Sequence, residues 1–309
     1  MARYLIKRLL AVIPVGLGVT FILFSLLYVT PGDPARLALG EEALEESLEA
    51  FRKEHGLDRH FIVRYGLFVY KAAVHQDFGR SYITQSPVVS EIANAFPTTL
   101  ILASGATGLA IVFGVLFGIV CAIKQYTIFD NVAMVIAMLG ISMPNFYLGV
   151  LLLLFFAVNL RWLPSSGFGS MSERILPWLT LCTTSMAIIT RMTRSSMLEV
   201  IRSDYIRTAR AKGQKESVII FRHALKNALI PIITISGIQF GHLLGGSILT
   251  ESIFSVPGVG RLAVEAIKTR DYPIVQGAVL YMALAYVIIN LLVDLLYAWV
   301  DPRLRTRYR

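Results

Sequence analysis

The sequence has little charge and almost no cysteine. Asp, Glu, Lys and Arg together make up 16% of its 309 residues, whereas 55% are hydrophobic. A soluble domain usually carries about 25% charged residues and does not bury so large an apolar share. The two cysteines, Cys121 and Cys182, both lie in apolar runs, and two cysteines cannot form a disulfide framework. The composition therefore predicts a polytopic membrane protein whose cysteines are packing residues.

The sequence also lacks the short motifs of common catalytic and nucleotide-binding sites. No stretch fits the P-loop pattern G-x-x-x-x-G-K-[ST], the nucleophile pattern G-x-S-x-G or the zinc pattern H-E-x-x-H. The five histidines are scattered without metal-ligand spacing. We therefore expect no catalytic residue, no cofactor and no metal, and a membrane-embedded enzyme is the least favoured class. Few ionisable groups interrupt the apolar runs, which disfavours a proton relay and hence an ion-coupled carrier.

Six apolar runs are present, and most are long enough to cross a bilayer. About 20 helical residues cover the ~30 Å hydrocarbon core. The third run contains the sequence SMPNF, in which Pro144 should kink the helix or break it near one end. The first run is too long for the core of a cleaved signal peptide, so we predict a retained helix. The predicted spans are 9–29, 98–123, 132–158, 175–189, 228–250 and 274–300.

Charge asymmetry orients these spans. The segments on the side of the two termini hold 17 Lys and Arg but only 5 acids, and the other side holds 12 and 14. Because short cytoplasmic loops carry the basic excess, both termini are predicted to be cytoplasmic. The only long polar segment, 31–96, is then an extracytoplasmic helical cap. The basic residues lie beside spans rather than on one soluble face, so we expect no nucleic-acid partner.

The most basic segment is the cytoplasmic loop at 191–226, which holds nine Lys and Arg against three acids. Asp204 is a candidate N-cap for a short helix. Gly213 would supply the left-handed residue that ends that helix. A second short helix, with an apolar part at 218–221, would follow. The loop is thus predicted to be a bent helical pair, which either holds orientation or offers a docking surface.

Small residues recur along one face of the fifth span. Gly237, Gly241 and Gly245 are spaced four apart, a spacing that lets another helix approach closely in lipid. Gly114 and Gly118 repeat the spacing in the second span, where ordinary packing within the chain is the favoured interpretation.

A series of motifs in order closely resembles the permeases of ABC importers for dipeptides, oligopeptides, glutathione and nickel. In the basic loop, DYIRTARAKG followed by RHALKNALIP resembles the family's cytoplasmic signature. Gly213 is in register with the broader Glu-Ala-Ala-x-x-x-Gly motif, although Arg207 replaces its Glu. The other motifs are PGDPA (31–35), DFGRS (77–81), SMPNF (142–146), WLP (162–164), TRSSMLEV (193–200), FSVPGVG (254–260) and RDYP (270–273).

The resemblance implies an all-α type I importer permease with six transmembrane helices, forming one domain over 1–309 in a bacterial or archaeal cytoplasmic membrane. It implies a second homologous permease as heterodimer partner, two ATP-binding subunits and an extracytoplasmic substrate-binding protein, besides the lipid bilayer. Coupling to the ATPase would involve Asp204, Tyr205, Arg207, Ala209, Ala211, Lys212, Gly213, Arg222 and His223. The translocation path would follow Gly237, Gly241 and Gly245, and the binding protein would dock on Phe254, Pro257, Gly258, Gly260 and the cap.

Alternatives remain at this stage. Short peptides are the favoured cargo, and the same architecture could import a nickel chelate or glutathione. From a different class, a stand-alone channel or an ion-coupled carrier is also compatible with an apolar helical chain.

Overall fold

The computed structural model of the protein describes residues 2–40 and 42–300. These residues are mainly helical, and no β-strand occurs among them. The predicted all-α class is therefore confirmed. The helices are α1 Ala2–Val29, α2 Pro34–Leu39, α3 Glu45–Glu54, α4 Phe61–Tyr70, α5 Val88–Ile123, α6 Ile128–Ser142, α7 Asn145–Leu152, α8 Met171–Ile201, α9 Asp204–Ala211, α10 Glu216–Val218, α11 Leu225–Gly246, α12 Ile248–Ile253, α13 Val259–Thr269 and α14 Tyr272–Val300.

Four stretches of the described chain are long and apolar enough to cross a membrane as single helices. They lie in α5, α8, the helix from Glu216 to Gly245, and α14. The bent pair of α6 and α7 makes a fifth if it forms one span, and α1 contributes a shorter apolar helix over Ile13–Val29. All six predicted runs are thus helical, and six spans remain our prediction.

The third predicted span is not a kinked rod. Its two halves, Ile128–Ser142 and Asn145–Asn159, meet at an angle of 102°. The break lies midway along the run, at Met143 and Pro144, and not near one end as we predicted. Each half has 15 residues and is about 22 Å long, which is less than the ~30 Å hydrocarbon core.

The basic loop is shorter than the sequence indicated. Helix α8 continues to Ile201, and the next helix already begins at Glu216. The predicted second short helix is instead the first part of a helix that runs through a π-helical segment, Ile219–Ala224, into α11. Only α9 and its flanking turns lie between the two long helices.

The chain divides into two compact units, 100–256 with 288–300 and 2–99 with 257–287. In the first unit α8 lies at the centre, and its Leu176, Leu181 and Ile189 are fully buried. The predicted packing of Gly114 and Gly118 within the chain is confirmed here. A Cβ on Gly118 would lie 2.5 Å from Thr193 of α8, so only glycine permits this approach.

The second unit contains the cap. Arg52 of α3 pairs with Asp33 at 2.6 Å, and Asp33 also caps α2 by accepting from the Ala35 N–H. The cap is not polar throughout, because α4 is an apolar helix. Its Tyr65 hydroxyl donates to the Leu17 carbonyl of α1 at 2.9 Å. The cap therefore packs along α1 as well as facing water.

Candidate functional site

Helix α9 is the short helix that the sequence pattern placed at the centre of the basic loop. Its N-cap position is occupied by Ser203, and Asp204 is the first helical residue, so the predicted Asp204 cap is wrong. Neither side chain accepts a capping hydrogen bond from the backbone N–H groups at the start of the helix. At the other end Gly213 has φ +72°, the left-handed conformation we predicted, and its N–H donates to the Arg210 carbonyl at 2.9 Å.

One apolar side chain seats α9 on the ends of the two long helices. Ile206 is fully buried, together with Met197 of α8 and Ile219 of the π-helical segment. Burying a side chain of this size contributes roughly 1.5–3 kcal/mol. Because these contacts come from both neighbouring helices, α9 is packed against the ends of both.

Polar contacts close the turn that follows α9. Arg210 donates to Glu216 at 2.6 Å across the turn, and His223 and Gln214 lie 2.8 Å apart. The Asn227 amide donates to the Tyr205 hydroxyl at 2.9 Å. The turn is therefore tied to α9 and to the first turns of the next helix.

The outer surface of α9 and its turn is exposed and basic. Arg207, Lys212 and Arg222 project from it, and the apolar Phe221 is 58% exposed beside them. Of the predicted coupling residues, the exposed ones are Asp204, Tyr205, Arg207, Ala211, Lys212, Gly213 and Arg222, and the half-buried ones are Ala209 and His223. A small, shaped knob of this kind can enter a cleft of another protein.

A buried ion pair joins α6 to α8 beside the basic loop, and sequence reasoning missed it. Arg194 of α8 donates to both carboxylate oxygens of Asp130 at 2.6 and 2.7 Å, and the Asp130 side chain is only 1% exposed. The Tyr126 N–H also donates to Asp130 at 3.0 Å. The pair fixes the start of α6 to α8. Arg194 lies in the TRSSMLEV motif, but its position in the sequence indicates only one more basic residue of the loop.

The break between α6 and α7 is held by α8 as well. The Thr184 hydroxyl lies 2.6 Å from the Asn145 side-chain oxygen and 3.2 Å from the Gly140 carbonyl. Irregular backbone at membrane depth requires such partners, because no water satisfies it there. Side-chain hydrogen bonds thus join α8 to the α6–α7 pair at two places, one beside the basic loop and one at the break.

The glycine stripe of α11 is divided between different environments. A Cβ on Gly237 would lie 2.2 Å from Val293 of α14, so this glycine packs against a helix of its own chain. Gly241 is buried, whereas Gly245 is exposed and a Cβ there would meet nothing within 4 Å.

The predicted docking loop is mostly internal. Phe254 is 1% exposed and its carbonyl accepts from the Gly167 N–H at 3.0 Å. Gly258 and Gly260 are also buried, and only Pro257 of the four predicted residues is exposed. Three of the four therefore shape the loop from within, and they offer no surface to a partner.

The chain matches models of a known protein family over most of its length. Residues 114–306 match the family described as binding-protein-dependent transport system inner membrane component, and residues 1–103 match the N-terminal part of such components. The chain belongs to this family. It is a multi-pass inner-membrane permease component of an ABC importer and not an enzyme, since ATP is hydrolysed by a separate subunit in this family. The channel, carrier and enzyme alternatives are thereby excluded.

Individual relatives agree with this assignment. The permease is 44% identical to the dipeptide transport system permease protein of Alkalihalophilus pseudofirmus, covering 99% of this chain and all of the relative. It is 43% identical to the glutathione transport system permease protein of Escherichia coli K12, covering 99% of each chain. A solved structure of the MetNI methionine ABC transporter in inward-facing conformations shares the fold, with TM-score 0.56 and 18% identity over 69% of this chain and 97% of that one.

Proposed function

We propose that the permease forms a heterodimer with a second homologous permease, and that α9 docks into an ATP-binding subunit beneath it. The family membership supports an ATPase and a binding protein as partners in general. The geometry that supports α9 as the contact is the exposed basic knob seated by the buried Ile206. A knob that is fixed to two long helices can transmit closure of the ATPases to the path between the permeases.

We further propose that the cargo is a short peptide delivered by an external binding protein. The observation that carries this proposal is the 43–44% identity, over the full length, to permeases named for dipeptide and for glutathione transport. Glutathione is itself a small peptide, so both names describe one chemical class. Neither of these relatives is named for nickel, which leaves the nickel chelate as the less supported alternative.

The cargo is tested with the cognate binding protein and the reconstituted complex. We expect dipeptides or glutathione to stabilise the binding protein against heat and to stimulate ATP hydrolysis by the complex. A nickel chelate should do neither. Stimulation by nickel chelate alone would overturn the peptide assignment and leave the importer assignment intact.

Both termini are proposed to be cytoplasmic, which places the cap outside and α9 inside. In a background lacking Cys121 and Cys182, Ser47→Cys on α3 should react with an impermeant thiol reagent from outside. Ser217→Cys should react only after the membrane is opened. Both serines are exposed, whereas Ser81 in the cap is buried and makes a poor reporter. The reverse labelling pattern would contradict this topology.

A further inference from the structure

Two adjoining cavities lie within the unit that contains the cap, and the function described so far does not use them. Their volumes are about 220 and 270 Å³. Both are lined by Phe24, Arg64, Tyr272 and Gln276, so they share one wall. The first cavity is also lined by Tyr82.

The shared wall carries polar groups without partners. Gln276 is 8% exposed, yet its amide makes no hydrogen bond to any residue in 2–40 or 42–300. Arg64 is half-buried and forms neither a hydrogen bond nor an ion pair within the described chain; its guanidinium lies 5.7 Å from the centre of the Phe24 ring. Both side chains line the cavities, so their N–H groups are available to a ligand that enters.

The tyrosines add further donors. Tyr82 is 9% and Tyr272 7% exposed, and neither hydroxyl bonds to another residue in the part of the chain that the structure describes. Burial raises the pKa of Tyr82 well above its ordinary value, so its hydroxyl stays protonated and can donate.

The charges around the cavities favour one negative group. Arg64 is the unpaired cation in the shared wall, whereas Arg52 in the second cavity is neutralised by Asp33 at 2.6 Å. In the first cavity the cations Arg59, Arg64 and Lys71 face the acids Glu54 and Asp77, which leaves one net positive charge and does not favour a multiply charged anion. A single carboxylate matches this arrangement, because it accepts up to about four hydrogen bonds and pairs with the planar guanidinium.

The size of the cavities indicates how that carboxylate arrives. Each cavity is smaller than the roughly 300–1,000 Å³ of small-molecule pockets. Each therefore suits one side chain rather than a whole peptide. We propose that Arg64 and Gln276 receive an acidic side chain of the external binding protein. This inference rests on the proposed function, which places the cap outside, where that protein docks.

The test measures docking of the cognate binding protein on the complete complex in lipid nanodiscs. Arg64→Met removes the charge and keeps the apolar stem of the side chain, and should weaken docking about tenfold or more. Its docking should also depend less on salt than that of the wild type. Lys53→Met is the matched control, because Lys53 is an exposed cation of the same segment that lines neither cavity, and docking should be unchanged.

A second variant separates a docking defect from a folding defect in Arg64→Met. Gln276→Glu is nearly isosteric and supplies an internal carboxylate for Arg64. It should leave the melting temperature equal or higher and still weaken docking about tenfold. A fold defect would lower the melting temperature as well, so the two effects are separable.

The outcomes distinguish this inference from the proposed function. If the wild-type complex fails to bind the binding protein at all, the proposed function fails. If the wild type docks and both variants dock equally well, the carboxylate receptor is wrong and the function stands. Two further results would also overturn it. In the first, free acetate stabilises the wild type but not Arg64→Met against heat, yet it does not compete with docking of the binding protein. In the second, the variants show a docking defect only in nanodiscs that contain anionic lipid.

Discussion

Gly213→Val tests whether the shape of the α9 turn matters, because it changes shape and keeps every charge. Gly213 has φ +72°, and a Cβ built there meets nothing within 4 Å. The substitution therefore causes no clash, and its cost comes from the backbone alone. A β-branched residue in the left-handed region costs about 1–3 kcal/mol, which corresponds to about a 5- to 150-fold loss of the native turn.

The contacts around the turn show which hydrogen bonds this strain would disturb. Relaxing φ at Gly213 displaces Gln214 and Glu216, which hold the turn to His223 and Arg210. The buried Ile206 lies outside the turn, so the six long helical runs should still insert and pack. We expect normal abundance, but little uptake and ATP hydrolysis that responds weakly to loaded binding protein.

The assay is ATP hydrolysis of the reconstituted complex with and without loaded binding protein. Gly213→Asn is the matched control, since Asn tolerates the left-handed conformation and should retain most of the stimulation. Ala211→Gly, which costs about 0.5–1 kcal/mol of helix stability, should be milder than Gly213→Val. Full stimulation in Gly213→Val would refute the coupling role and leave the loop as a basic membrane anchor.

Three further predictions concern supporting contacts. Arg194→Met leaves the buried Asp130 without its charge partner and should destabilise the permease by about 3–5 kcal/mol in thermal unfolding, while adding Asp130→Leu should recover most of the loss. Gly237→Leu should lower the folded yield through a clash with Val293, and Val293→Ala should relieve it; an intact monomer that only fails to pair would instead assign Gly237 to the partner interface. Partial burial raises the pKa of Asp33, but hydrogen bonds from its arginine partner and the Ala35 N–H lower it more, so the net pKa lies below 3.8. The ion pair therefore stabilises the cap fully above pH 3.8 and is lost as pH falls through the lower folded value, and hydrogen exchange in the cap that is unchanged through that range would contradict this.

The sequence alone determined the class of the protein and the approximate positions of its six apolar helical runs. Runs of apolar residues specify membrane helices locally, because each helix satisfies its own backbone hydrogen bonds in lipid. The same local logic predicted the left-handed Gly213, since a helix stop needs only that residue and its neighbours. The motif order was also enough to indicate the permease family, which the comparisons then confirmed.

What only the tertiary structure decided depends on residues far apart in the chain. The pairing of Asp130 with Arg194 joins positions 64 residues apart, and neither residue signals the other. The same holds for Gly237 against Val293, and for Phe254, whose motif suggested a docking surface but whose ring is buried. The break at Pro144 could be predicted from the proline, but its 102° angle depends on partners such as Thr184 on α8. Spacing along a chain cannot specify such contacts, because they form only when separate helices pack together.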